Sequence, residues 1–376
     1  MSLSVQNLID CHLDNPIIAQ GSTGAGSKHI ATDASIKNKI EVLLCGIKNG
    51  IKIIDTAPSY EDGHAEEIVG QVIQRINRDN IILCTKFEPD SNSYHGVIKS
   101  VDQSLKRLQT DYIDIYQAHW PNPEIPISET MRALNELLDQ GKIRYIGVCN
   151  FTKNEIIEAE KYLKNTNIVS IQAEYNLNNR MAENELFQFC KLNRKLFFAY
   201  NLFNQGRLKK NSFIVSLANK YGVSVHQIII NWSIENNFVI PILNSISKDH
   251  TLQNAKAINI NLTRKDIYSI NNKFRNQTKL IDTKDIQVID YDIDDTHKIY
   301  TNIDDAIKNK FKIKPSPVSL SKEIEKGRLL KPIDLVLNKH SKNSKYLLLH
   351  GRIRYWAWVI AYNGKKPIPA NILDLD

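Results

Sequence analysis

Cysteine is scarce and scattered. The five in 376 residues, Cys11, Cys45, Cys84, Cys149 and Cys190, stand singly, with no CxxC pair and no histidine at metal-ligand spacing. This argues against a metal site or a disulfide framework and for reduced, mostly buried thiols, as expected of a cytoplasmic protein. Long apolar runs are missing too. No stretch of eighteen apolar residues occurs, and MSLSVQNLID lacks a basic segment followed by an apolar one, so neither a membrane span nor a secretory leader is expected.

What is present is ordinary globular material, 42% hydrophobic and 24% charged, enough to bury a core without staples. The formal charge of +8 is unevenly placed: residues 276–305 hold eight acids and three lysines, whereas 306–376 hold fifteen Lys or Arg and five acids. A basic C-terminal region is either a solvated surface or a surface for phosphate, nucleotide or nucleic acid.

Short Ile-, Val-, Phe- and Tyr-rich runs recur at 16–22, 51–57, 81–87, 112–120, 143–150, 168–176, 195–201 and 238–245. Each is long enough for a strand and too short for a typical helix. Helix-period segments lie between them, for instance 97–109, 128–142 and 212–222. Eight βα units in about 270 residues predict an α/β fold, a parallel (β/α)8 TIM barrel, with a doubly wound sheet as the alternative. After the helical stretch 263–274 the alternation stops. The polar stretch 275–285 reads as a linker, and the rest as a second, α+β domain, giving domains at 1–275 and 276–376.

In such a barrel, function collects at the C-terminal ends of the strands. Those ends carry Asp55, Lys86, His119, Asn150, Gln172, Tyr200 and Ser245, with Tyr60 five residues past Asp55. A phenol with a pKa of about 10 is a poor acid at neutral pH, and a neighbouring ammonium lowers it. Lys86 is the candidate neighbour, and Asp55 would hold Lys86 charged. His119 would orient a carbonyl or relay a proton. The set has no activated nucleophile and no catalytic carboxylate pair. It suits proton transfer to a carbonyl oxygen while a nicotinamide cofactor delivers hydride. Asn150 and Gln172 offer a carboxamide its donors and acceptors, and Tyr200 a ring face for stacking.

The stretches IIDTAPSYEDGHAEEIVG, ILCTKF, SLKRLQTDYIDIYQAHWP, LLDQGKIRYIGVCNF, IQAEYNLNNR, FFAYNLFNQGRL and IPILNSISKDHTLQN resemble the aldo-keto reductase family, in the family's order, from about residue 16 to 272. The resemblance implies a catalytic tetrad of Asp55, Tyr60, Lys86 and His119, with Tyr60 as the acid in reversible reduction of a small, sugar-like carbonyl substrate. It implies NADPH, with NADH as the other option, held by Gly21, Asn150, Gln172, Tyr200, Ser245, His250 and Asn254. The chain departs from the family pattern at Asn244 and His250, where a Lys and an Arg commonly meet the 2′-phosphate. Cys149 and Asn201 each replace a serine.

The segment KGRLLKPIDLV with YLLLHGRIRYWAWVIAYNGKKPIPANIL resembles the ParB and sulfiredoxin-like fold. That resemblance implies a phosphate or nucleotide site, taking ATP or CTP, at Gly351, Arg352 and Arg354. Arg352 stands where sulfiredoxin has its cysteine, and no helix-turn-helix region follows, so neither cysteine repair nor DNA partition is expected. A kinase-like domain, with an acid between Asp290 and Asp295 as base or metal ligand, and a domain kept only for contacts both stay open. So does a protein whose main activity is nucleotide-dependent and whose barrel is a scaffold.

Overall fold

The strand-like runs do become strands, because each is apolar on both faces and its backbone must pair. In a computed structural model, which describes residues 16–23, 32–274, 279–288, 300–325, 332–338 and 344–372, they form a closed parallel barrel. Its strands are β1 (Ala19–Gly21), β2 (Ile53–Asp55), β3 (Ile82–Phe87), β4 (Ile113–Ala118), β5 (Ile143–Cys149), β6 (Ile168–Glu174), β7 (Leu196–Tyr200) and β8 (Val239–Leu243). The barrel is therefore the eight-stranded one, and the doubly wound alternative falls.

Strand alternation sorts the side chains. Ile53, Ile82, Cys84, Ile115, Phe198 and Ile240 fill the lumen, while Ile54, Leu83, Tyr116, Ile171 and Phe197 pack outward under the helices. At Gly147 in β5 only glycine fits, since a Cβ would lie 2.3 Å from Ser170 Oγ and 2.8 Å from Gln117 Cγ. The helices are cut where their sequences say: α1 (Asp33–Lys48) starts at an N-capping Thr32, and α2 (His64–Ile73) follows β2. Next come α3 (Tyr94–Leu108), α4 (Ile127–Asp139), α5 (Lys153–Glu160), which starts at a Thr152–Glu155 capping box, and α6 (Leu186–Leu192). Then follow α7 (Ser212–Tyr221), stopped by a left-handed Gly222, α8 (Val225–Ser233), α9 (Lys248–Lys256) and α10 (Arg264–Lys273). Among the described residues no single helix is long and apolar enough to cross a membrane.

The chain divides into two compact units, 1–121 with 125–274 and 275–376 with 122–124. The second holds a mixed five-stranded sheet in the order β10 (Ile286–Gln287), β12 (Tyr346–His350), β11 (Ile333–Leu337), β13 (Ile368–Ile372), β9 (Lys279–Ile281). Its helices are α11 (Ile303–Ile307), α12 (Pro317–Glu325) and α13 (Arg352–Tyr362), the last two packed through Leu320, Ile324 and Ala357. Trp356 of α13 donates to Tyr300 O at 2.6 Å, and Tyr355 to Thr283 O at 3.1 Å.

The expected linker needs correcting. Lys279–Ile281 is an edge strand, antiparallel to β13, and only Ile281 is buried. An edge strand with one inward residue has no apolar pattern to betray it. Cys11, the acids in 290–295 and the stretch 326–331 lie outside the described residues; the four other cysteines are free thiols, three of them buried.

Candidate active site

Parallel strands deliver all their C-terminal ends to one rim, and the predicted residues meet there. Lys86, on β3, is fully buried. Its Nζ donates to Asp55 Oδ1 and Oδ2 at 2.9 and 2.8 Å and to Thr56 O at 2.9 Å, and reaches Tyr60 OH at 3.4 Å. Burial works against the ammonium, but attraction from Asp55 and then Tyr60 outweighs it and raises the Lys86 pKa.

Tyr60 opens a tight turn in which Glu61, Asp62 and Gly63 are all left-handed, with φ of 54°, 55° and 92°. Two successive non-glycine residues there are strained. Glu61 is tied to Lys39 of α1 by an ion pair. The expectation that Lys86 lowers the Tyr60 pKa is overturned in its net effect. Burial is the larger influence and pushes the phenol up to about 12, with Lys86 pulling the other way. Tyr60 therefore keeps its proton at neutral pH.

His119 follows β4, its ring nearly perpendicular to that of Tyr60 with centroids 6.2 Å apart. Its Nδ1 lies 2.8 Å from Glu88 Oε1. Asn150 follows β5 with φ 64°; its Nδ2 donates to His119 O at 3.2 Å and Cys149 Sγ at 3.1 Å, and its Oδ1 accepts from Tyr200 OH at 2.8 Å. Gln172, at the end of β6, also bonds within the barrel. It points into the lumen, accepting from Gln117 Nε2 at 3.2 Å and donating to Asp55 Oδ2 at 3.4 Å, so both ends of its amide are engaged inside the barrel.

Gly21 sits at the end of β1, where a Cβ would fall 2.0 Å from Asn244 Oδ1. Ser245 accepts from Asn254 Nδ2 at 3.1 Å, and His250 is exposed in the first turn of α9. Ser22 Oγ and Thr56 Oγ1, just past the ends of β1 and β2, are buried with no hydrogen-bond partner among the described residues. Buried hydroxyls left without a partner suit a polar ligand at this rim. With the Asn150 amide and the Tyr200 ring on the same rim, the residues present fit a nicotinamide dinucleotide.

Glu88 and Gln117 were missed from sequence. Each stands two residues from a predicted site residue, Glu88 after Lys86 and Gln117 before His119, and strand alternation puts such pairs on one face. In the second unit, Gly351 is left-handed at φ 95° and caps α13, and a Cβ there would lie 2.9 Å from Ile333 Cγ2. Arg352 and Arg354 open that helix, but Arg354 Nη1 donates to Pro332 O at 2.6 Å, so part of its guanidinium serves the backbone and not a phosphate.

The model of the Aldo/keto reductase family matches residues 18–274. Methylglyoxal reductase YeaE of Escherichia coli K12 is 31% identical over 252 residues, 65% of this chain and 88% of that protein. Aldo-keto reductase YhdN of Bacillus subtilis 168 is 40% identical over 181 residues, 46% of this chain, which spans about half of that relative, 54%. A Klebsiella pneumoniae aldo/keto reductase, solved in complex with NADP and acetate, superposes with a TM-score of 0.65 at 31% identity, covering 70% of this chain and 93% of its own. Barrel, rim and relatives agree, and the chain belongs to the aldo/keto reductase family, as an NAD(P)H-dependent oxidoreductase acting on carbonyl groups.

Proposed function

We propose that the barrel unit catalyses the reversible NADPH-dependent reduction of a small carbonyl compound, an α-oxoaldehyde such as methylglyoxal or glyoxal or a sugar-like hydroxy carbonyl. The observation that carries this is the contact of Lys86 with both Asp55 and Tyr60 at the barrel rim. A nicotinamide held at this rim would supply the hydride for the carbonyl carbon. Tyr60 gives its proton to the carbonyl oxygen, and its high pKa keeps that proton available across the neutral range. Lys86 steadies the phenolate left behind until solvent returns a proton, and Asp55 keeps Lys86 charged and in place. Asn150, Gln172 and Tyr200 receive the nicotinamide, and Gln172 also donates to Asp55.

The substrate class is supported by relatives named for methylglyoxal and glyoxal. NADPH is supported by neighbours solved with NADP or NADPH. Asn244 and His250 in place of a Lys and an Arg leave NADH as a second cofactor, and one relative is named an NADH-specific methylglyoxal reductase. Single buried thiols fit a reducing, cytoplasmic setting.

The test follows 340 nm absorbance with NADPH or NADH and a panel of aldehydes. Tyr60→Phe should cost about 10²- to 10⁴-fold in kcat. No turnover and no cofactor binding by the unaltered protein would sink the reading.

A second reading concerns the other unit, as a ParB- or sulfiredoxin-like domain taking ATP or CTP, with kinase-like chemistry in its stronger form. The left-handed Gly351 feeding an arginine-bearing helix start favours it. Its test is differential scanning calorimetry with millimolar ATP or CTP, where no shift in any transition would sink it.

A further inference from the structure

We propose that Glu88 fixes the tautomer of His119, so that His119 can bond a carbonyl oxygen only when its imidazole is doubly protonated. The inference rests on the reductase reading above. Glu88 acts through His119 and is a positioning residue.

The contact is direct, 2.8 Å between Glu88 Oε1 and His119 Nδ1. An ionised carboxylate has no proton to give, so the bridging proton sits on the ring nitrogen. Burial acts to raise the Glu88 pKa, but hydrogen bonds from His119 and Ser59 and attraction to Lys86 outweigh it and leave it lowered. Glu88 is therefore a carboxylate at neutral pH.

Neutral imidazole carries one proton. With that proton on Nδ1, Nε2 is an acceptor, and a carbonyl oxygen is also an acceptor, so the two cannot bond. An alcohol O–H can donate to the same Nε2. Neutral His119 thus fits the alcohol, and doubly protonated His119 fits the carbonyl. The histidine is anchored at its backbone, where its N donates to Phe87 O at 3.0 Å and its O accepts from Asn150 Nδ2 at 3.2 Å. The other titratable groups around it are Tyr60, at 6.2 Å between ring centroids, the Lys86–Asp55 pair behind Tyr60, and Cys149 beside Asn150.

Reduction is accordingly favoured at lower pH and alcohol oxidation at higher pH, through the histidine as well as through the tyrosine. The tautomer is read by ¹⁵N NMR of histidine-labelled protein saturated with cofactor, His119→Asn supplying the assignment. The unaltered protein should show neutral His119 protonated at Nδ1. Glu88→Leu should move that proton to Nε2. Glu88→Gln, of the same shape, should lose the bias, because an amide can donate to Nδ1 as well as accept from it.

In parallel, kcat/KM for aldehyde reduction should fall about tenfold per pH unit above the His119 NMR midpoint in the unaltered protein. That limb should vanish in Glu88→Leu. Nε2-protonated neutral His119 in the unaltered protein, or pH limbs identical in the unaltered protein and both variants, would overturn the proposal. Failure of the unaltered protein to reduce any carbonyl would instead strike the reductase reading, and the NMR arm would still decide the tautomer.

Discussion

Lys86 has no contact with solvent, and its ammonium is matched by one carboxylate, one carbonyl and one phenol. Removing the carboxylate strands a charge in the interior. Asp55→Ala should therefore cost about 3–5 kcal/mol of stability, read as a fall in the urea midpoint, with activity lost as well. Tyr60 behaves oppositely toward pH. Its folded pKa of about 12 lies above the ordinary value of 10, so the folded state holds that proton more tightly. The resulting stability is present in full below about pH 10 and drains away as pH climbs toward 12. The Asp55, Tyr60 and Lys86 cluster was legible because each residue ends an apolar run or follows one, where a polar group has no bland explanation. Glu88 was not, because a glutamate before Pro89 reads as an ordinary loop residue until the fold sets it against His119. The net direction of the Tyr60 shift was hidden for a different reason: the neighbouring lysine is visible in sequence, and the depth of burial is not.

At the scale of elements, the barrel is held at its last helix by a cluster around Asp266. Thr263 Oγ1 donates to it at 2.6 Å and caps the start of α10, while Lys220 donates at 2.7 Å and Tyr221 also bonds it, both from the end of α7. The lysine bond first, then those of Thr263 and Tyr221, hold the Asp266 pKa down to about 2. Asp266→Asn should lower stability by roughly 1–2 kcal/mol at neutral pH. Because the folded pKa is depressed, the deficit should be present above about pH 4 and close as pH falls toward 2, measured by urea unfolding at each pH. The barrel strands were legible to within a few residues, their apolar runs being buried on both faces. The edge strand Lys279–Ile281 was not, since a strand with one inward side chain offers no period to read.

At the scale of the whole molecule, each unit has apolar cores of its own among the described residues. Those of the first lie within 17–274 and those of the second within 281–372. Differential scanning calorimetry should then resolve two transitions. NADPH at one hundred times its Kd should raise the larger one alone, by about 2.7 kcal/mol of added stability. ATP or CTP at millimolar concentration raising only the smaller one would support the nucleotide reading of the second unit, and no shift would sink it. One merged transition moved by NADPH would mean that the two cores unfold as a unit. The fold of the first unit could be read from sequence because its repeat is counted eight times over. The second offered one pass through each element, and its order of strands emerged only from the pairing of β11 with both β12 and β13.

The left-handed run Glu61–Asp62–Gly63 has an evolutionary side. Glycine at 62 would relax the backbone at no steric cost, yet it would also let the segment carrying Tyr60 wander, because glycine has more conformations to choose from. A lineage drifting toward greater heat resistance has an easy step available here, and that step loosens the proton donor. Selection for turnover and selection for robustness thus pull against each other within this one turn.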